Sequence, residues 1–517
     1  MKSSRTHNAL INSSVLAVLQ VLTILLRFVT QTIFIYYLGK KYLGLNGLFL
    51  NIINILGFAD LGIDTSIVYA LYKPLAEHDE EKVTALMNLF RRAYNVIGLV
   101  VAGVGIILLP FLPYLIKDYH AVSHIPMYYL LYLANAVVSY FFTYKRSLLI
   151  ADQQEYVSSL NQFNFTLLQT IFQAAVLFVF KAYSLYLWVA IICTLLSNLR
   201  ISRKVDKQYP YLAKHKHERV SYEEFISIRN NVAGMIGARI GSVVVRSTDN
   251  LLLSTFAGLA VVGIYSNYLL IVNSVVSVLT KLVSSVTASI GNLIVEREDQ
   301  DVRRVYLDHF MINFFLVTLT AGCLLAAFNT FIQLWAGANY VLPTVTVAVI
   351  VINYFIDMLR QTSITFVSAY GLFVPNGKKS VFEAIINLAL SLFLLVGCHL
   401  GIAGVLLGTT LTNLLVNSWF EPWMIYSRGF RSQRQRFKRF YFRTYWVNMV
   451  FMLVVLFLIN WGITWLDQML HFNLVIQLAF NLAVMVLSLL IVLTVVYGRT
   501  PSYQYMWNLV KKFRKII

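Results

Sequence analysis

Residues 21–34 read VLTILLRFVTQTIF, and residues 240–253 read IGSVVVRSTDNLLL. Each is an apolar run with one arginine near its middle, Arg27 and Arg246. A charge at the bilayer centre costs roughly 3 kcal/mol on insertion scales, so such a residue is expected to face a cavity or a partner rather than lipid. The two arginines are related by a fixed offset, since 27 plus 219 is 246. The same offset carries Gly39 and Gly44 onto Gly258 and Gly263, and Glu77 onto Glu296. One gap-free register therefore relates two parts of the chain. It predicts a duplicated helical bundle in a membrane, with cationic side chains turned toward a central space. Such a design suits an anion handled within the membrane.

The composition agrees. Of 517 residues, 58% are hydrophobic and 13% charged, against about 25% charged in soluble domains. The mean hydropathy is +0.69. Stretches long enough to span a bilayer recur along the whole chain. They predict an all-α polytopic protein with about fourteen spans, near 9–37, 43–72, 93–116, 125–150, 157–180, 183–203, 226–256, 260–292, 308–334, 341–370, 380–399, 402–426, 444–466 and 473–497. The net charge of +19 sits mostly in the joints between spans, which argues for membrane orientation and against nucleic acid. Cys193, Cys323 and Cys398 all fall in apolar spans and offer neither a disulfide framework nor metal-site spacing. Lys2 and Arg5 precede an apolar stretch too long for a cleavable signal, so the first span reads as a retained anchor. No Walker, GxGxxG, HExxH or CxxC pattern occurs. The expectation is therefore a protein that is not an enzyme, with no catalytic residues, no metal and no cofactor.

Loop charge gives an orientation. With the N-terminus in the cytoplasm, the outer loops hold only Lys40, Lys41, Lys117 and Lys181. The inner side takes the rest, including Lys378 and Lys379, the cluster Arg428–Arg443 and the tail Lys511–Lys515. Both termini are then cytoplasmic, which fits an even number of spans. The expected organisation is an N-terminal six-helix half over 1–205, a cytoplasmic linker over 206–225, a C-terminal six-helix half over 226–428, two additional spans over 429–497 and a basic tail over 498–517. The Arg428–Arg443 cluster and the tail are expected to meet anionic headgroups of membrane lipids.

Residues 26–77, LRFVTQTIFIYYLGKKYLGLNGLFLNIINILGFADLGIDTSIVYALYKPLAE, resemble the bacterial polysaccharide repeat-unit (Wzx-type) flippases of the multidrug/oligosaccharidyl-lipid/polysaccharide exporter superfamily. YKRSLLIADQQEY at 144–156 and GIAGVLLGTTLTN at 401–413 resemble the same family. The resemblance implies a V-shaped transporter alternating between inward- and outward-open states. It also implies a substrate, an oligosaccharide repeat unit on undecaprenyl diphosphate, moved from the inner to the outer leaflet of the bacterial cell membrane for capsule or exopolysaccharide synthesis. A polysaccharide polymerase and a chain-length regulator would be its partners.

Against that expectation the buried charges take roles. Arg27 is the leading candidate for the lipid diphosphate, because a guanidinium pairs bidentately with phosphate. Arg239 and Arg246, seven apart, share a face of one span and are further cavity candidates, with Asp249 close enough to neutralise Arg246. Lys281 either meets phosphate or snorkels to the interface. Arg146, beside Lys145 near the cytoplasmic end of its span, is either a positive-inside anchor or a capture site at the inner leaflet. Asp357 and Arg360, three apart, are expected to pair locally and also to line a cavity. Asp60 and Asp64 share a helix face, and one of two neighbouring carboxylates can hold an exchangeable proton, so they are candidates for coupling to H+ or Na+. Their bland alternative is to serve as counter-ions to Arg27.

Other functions remain in view at this point. A flippase for lipid-linked peptidoglycan precursor would use the same headgroup chemistry. A membrane polymerase or ligase would be expected to carry a large outer loop, and the outer loops here are short. The orientation is testable: a cysteine introduced beside Lys117 should react with an impermeant reagent in intact cells and one beside Arg434 should not, and the reverse pattern would invert the topology.

Overall fold

The structure is a computed structural model, and it describes residues 5–57, 63–117, 119–214, 218–226, 228–229 and 247–514. Among them the regular structure is helical and no strand occurs. This is what a bilayer dictates: without water, every backbone N–H and C=O must be satisfied within its own segment. Twelve helical stretches among the described residues are long and apolar enough to cross a membrane. The two other expected spans, 43–72 and 226–256, fall partly outside the described residues.

The first six-helix half comprises α1 (Arg5–Leu56), α2 (Ile63–Glu77), α3 (Glu80–Ile107), α4 (Ile125–Ala151), α5 (Glu155–Phe180) and α6 (Tyr183–Gln208). Residues 247–256 are helical and precede α7 (Leu259–Ser284), α8 (Thr287–Glu296), α9 (Asp299–Trp335), α10 (Thr344–Leu359), α11 (Gln361–Ala369) and α12 (Phe373–Leu392). Then come α13 (Gly401–Thr412) and α14 (Ser418–Met424), the additional pair α15 (Val447–Leu470) and α16 (Leu474–Tyr497), and a terminal helix α17 (Pro501–Arg514).

The sequence register reappears in the helix boundaries. α2 ends at Glu77 and α8 at Glu296, 219 later. α3 begins at Glu80 and α9 at Asp299, and α4 begins at Ile125 and α10 at Thr344, again 219 later. Gly39 and Gly258 both take left-handed backbone, with φ of 73° and 97°. Glycine adopts that region without steric cost, so each copy turns from its first span into its second at the same place. Among the described residues the fold is thus a repeated helical unit followed by two further spanning helices and the terminal helix α17. The copies are not identical: α4 is one unbroken helix, whereas its counterpart is interrupted at Arg360, between α10 and α11.

By contacts the chain divides into two compact units, Met1–Gly263 and Ile264–Ile517. In the first, α1 packs on α5, and α4 packs on α3 and α6. Thr30 and Thr170 join α1 to α5 through their hydroxyls at 3.1 Å. Phe34, Phe49, Phe90, Tyr94 and Tyr129 fill its core. Residues 254–263 belong to this unit because they dock on its 115–117 segment and on α1. The Lys117 N–H donates to the Ser254 carbonyl at 3.1 Å, and the Ser254 hydroxyl donates to Leu115 at 3.0 Å. Gly44 and Gly263, equivalent in the repeat, lie against one another, and a Cβ on either would strike backbone, Leu259 O or Lys40 O. Residues 218–224 also tie back to this unit. Asn88 donates to the Glu218 carbonyl at 3.2 Å, and Lys82 donates to Glu224, holding that carboxyl below its usual range. Both partners of this ion pair are well exposed, so it adds little stability.

In the second unit α9 is the central helix, packed on α10, α15, α16 and α17. The additional pair has a visible seat: a Cβ on Gly322 of α9 would collide with Leu489, Leu456 and Met485, all buried. Between helices in a bilayer such close fits replace the hydrophobic drive. Leu99, Phe178, Trp461 and Val495 are among the many large apolar side chains left exposed, as a lipid-facing surface requires.

Replacing Gly44 with Leu should therefore lower the apparent unfolding temperature in detergent by several degrees or prevent accumulation in the membrane. Gly103→Ala, where an added Cβ meets nothing within 4 Å, should behave as wild type. Equal behaviour of the two variants would contradict the described packing.

Candidate functional site

The densest group of charges lies within the second unit. Lys379 and Glu383 are one turn apart on α12, Arg360 sits at the break between α10 and α11, and Glu421 projects from α14. Arg360 grips Glu421 with two parallel bonds, Nη2 to Oε1 at 2.6 Å and Nε to Oε2 at 3.1 Å. Lys379 Nζ donates to the same Oε1 at 2.8 Å, to Glu383 at 3.0 Å and to Asn417 at 2.8 Å. Arg360 Nη1 bonds Asp357 at 3.0 Å and Asn413 at 2.8 Å. Asn417 donates to Glu383 at 2.6 Å and to Asn413 at 2.7 Å. A π-helical turn, Asn413–Asn417, links α13 to α14 and carries both asparagines.

Glu421 has 1% of its side chain exposed, Lys379 3%, Arg360 and Glu383 9% each, and Asp357 39%. Two cations thus meet two fully buried carboxylates and one at the rim. The expected Asp357–Arg360 pair forms, but it is the minor contact. Arg360 is committed to Glu421, so it is a strut between helices rather than a free cavity cation. Lys379 is corrected more fully: it is not in an inner loop, because α12 begins at Phe373 and carries it into the bundle.

The first unit places a different arrangement among α4, α5 and α6. Lys145 Nζ bonds both carboxylate oxygens of Asp206 at 2.7 Å and the Ser202 hydroxyl at 2.7 Å. The next residue, Arg146, has only neutral partners: Nη2 donates to Asn198 Oδ1 at 2.8 Å and to Ser197 Oγ at 3.2 Å. Asn161 in turn donates to Ser197, at 3.0 Å to the hydroxyl and 3.1 Å to the carbonyl. Arg146 Nε, Asn198 Nδ2 and Asn161 Oδ1 are buried without a partner among the described residues. Sequence alone gave the two cations but not this contrast, since nothing in YKRS distinguishes a neutralised lysine from an unneutralised arginine.

Arg27 lies exposed on α1 and makes no hydrogen bond or ion pair among the described residues. Thr23, Thr30 and Gln31, at spacings of three and four, share its face of the helix. Lys281 is exposed on α7 and Asp249 is half-buried, and each has a partner. Asp64 starts the second residue of α2, with its side chain outside the description. Asp60, Arg239 and Arg246 lie outside the described residues. The residues that sequence reasoning missed are Glu383, Glu421, Asn413 and Asn417. A Lys–Glu spacing of four inside an apolar helix was the available signal for Glu383.

Cutting Glu421 back to Ala should destabilise the protein by about 3–5 kcal/mol, as expected when one member of a buried ion network is removed. Asp357→Asn, at the exposed rim, should cost much less. Thermal unfolding of the two variants in detergent checks the ranking, and equal effects would show that burial does not set it.

A family model described as polysaccharide biosynthesis protein matches residues 9–290. Among solved structures, lipid II flippase MurJ in an inward closed conformation is 14% identical, with 93% of this chain and 98% of that chain covered and a TM-score of 0.63. An inward-facing multidrug resistance MATE family transporter of the MOP superfamily is 15% identical, covering 81% and 96%, with a TM-score of 0.58. A MOP superfamily transporter from Pyrococcus furiosus is 15% identical, covering 84% and 95%, with a TM-score of 0.53. At these identities the likeness is one of fold. The curated proteins contain no significant match. Because the family model spans more than half of the 517 residues, the chain belongs to the polysaccharide biosynthesis protein family, that of the Wzx-type flippases, on a multi-pass membrane fold shared with MOP superfamily transporters.

Proposed function

We propose that the protein is a flippase that moves undecaprenyl-diphosphate-linked oligosaccharide repeat units from the inner to the outer leaflet of a bacterial plasma membrane, feeding capsule or exopolysaccharide synthesis. The observation that carries this reading is Arg27, an exposed arginine in a spanning helix with no partner among the described residues. An arginine in that position is explained by an anionic ligand, and a diphosphate matches its planar fork. The sugar then travels with its anionic handle. Both termini are cytoplasmic in this reading, and the polymerase and chain-length regulator act on the delivered product.

With the cell interior negative, outward passage of an anion is favoured by about 2.3 kcal/mol per charge per 100 mV. Return of the empty, cation-bearing carrier is the step that needs help. Coupling to H+ or Na+ through Asp60 or Asp64 would supply it.

Arg27→Ala should abolish polysaccharide export in a complementation assay while the protein remains in the membrane at its normal level. Arg27→Lys keeps the charge but loses the fork, and should export partially. Full export by the alanine variant would remove the basis of the proposal.

A further inference from the structure

The two repeats treat the same place in opposite ways. Asn198 plus 219 is Asn417, and Ser202 plus 219 is Glu421. In the second copy, the Asn417 amide donates to Glu383 and Asn413, and Glu421 neutralises Arg360 and Lys379. In the first copy the glutamate is a serine, and that serine serves Lys145. The Asn198 amide nitrogen has no acceptor. Among the described residues Arg146 bonds no carboxylate, only Ser197 and Asn198 oxygens. The second copy gives both of its cations carboxylates; the first gives one to Lys145 and leaves Arg146 with neutral oxygens.

We infer that Arg146, Asn161, Ser197 and Asn198 form an anion site inside the first unit, and that its ligand is a phosphate oxyanion. The donors define the ligand. Arg146 Nε–H and the Asn198 amide are both buried and unpaired, and leaving such groups unsatisfied is costly in an apolar setting. A tetrahedral oxyanion offers acceptors to both at once and neutralises the guanidinium. Asn161 Oδ1 is also unpaired and needs a donor. Hydrogen phosphate and phosphate monoesters carry a P–OH that serves it, whereas sulfate does not. Asn161, Ser197 and Asn198 are only 7%, 4% and 3% exposed, so the site is built into the helix packing rather than laid on the surface. Lys145, one residue away, is already taken by Asp206 and does not compete.

The choice of phosphate rests on the proposed function, in which phosphate is the anionic group handled; a diphosphate substituted at both ends has no P–OH, so the Asn161 contact favours a phosphate monoester or the free anion. The site itself stands on the geometry. Its test therefore reads binding and not transport, so that either idea can fail alone. Purified full-length protein in detergent is titrated with inorganic phosphate, with sulfate at equal ionic strength, and with a long-chain alkyl phosphate monoester, following thermal unfolding. Phosphate or the alkyl phosphate should raise the unfolding temperature more than sulfate does. A response to the alkyl phosphate alone identifies a lipid headgroup; a response to inorganic phosphate shows that the free anion suffices. Asn198→Asp gives Arg146 a carboxylate of its own, as Arg360 has in Glu421. This variant should be at least as stable as wild type without ligand, yet bind phosphate about tenfold more weakly or worse. No shift with either phosphate, equal shifts with sulfate, or an unchanged response in Asn198→Asp would each overturn the assignment.

Discussion

Inside a bilayer a charge has no water to fall back on, so its neutralisation must be built from the protein itself or borrowed from a ligand. That constraint organises both halves of this molecule. In the second unit Glu421 receives both Arg360 and Lys379, and the four segments bearing α10/α11, α12, the π turn and α14 are held by one buried network. In the first unit the corresponding helices α4, α5 and α6 carry cations with less acid among them, and Arg146 rests on neutral oxygens alone. Duplication supplied one scaffold twice. Divergence at a few polar positions left one copy electrostatically closed and the other open to an anion.

Backbone geometry underlies the duplication as much as charge does. Gly39 and Gly258 make the same left-handed turn, and Gly44 and Gly263 let two turns approach with nothing but backbone between them. A side chain at Gly44 or Gly263 would force the segments apart, and one at Gly39 or Gly258 would strain the backbone. The register is conserved at these points because the conformation or the distance admits no other residue type.

Much of this was legible in the sequence. Long apolar runs fix helices in a membrane because no other open structure satisfies the backbone there, so the all-α class followed directly. The repeat was visible through Arg27, Gly39, Gly44 and Glu77 and their partners, since residues with special constraints survive divergence that apolar positions do not. The charged network was not legible. Hydropathy began the eleventh span at residue 380 and left Lys379 outside, because an average over a window treats a lysine as a boundary. Only the contact with Glu421, 42 residues away in sequence, shows that the helix carries it inward. Arg146 posed the opposite problem: its meaning depends on which carboxylates are absent around it, and that requires three helices in their packed register. Arg239, Arg246 and Asp60 lie outside the described residues, so their roles rest on the sequence alone.

The π-helical turn at Asn413–Asn417 has a bearing on how the second copy came to be closed. A π turn holds one residue more than an α turn without interrupting the rod. One extra residue rotates everything downstream by about 100° around the helix axis. Glu421 lies one turn beyond it, so its direction is set by the π turn as much as by its own position. The turn therefore decides which flank of the membrane helix Glu421 presents, and tightening it to regular α geometry would swing the acid away from Arg360 and Lys379 with no change in the number or order of the spans.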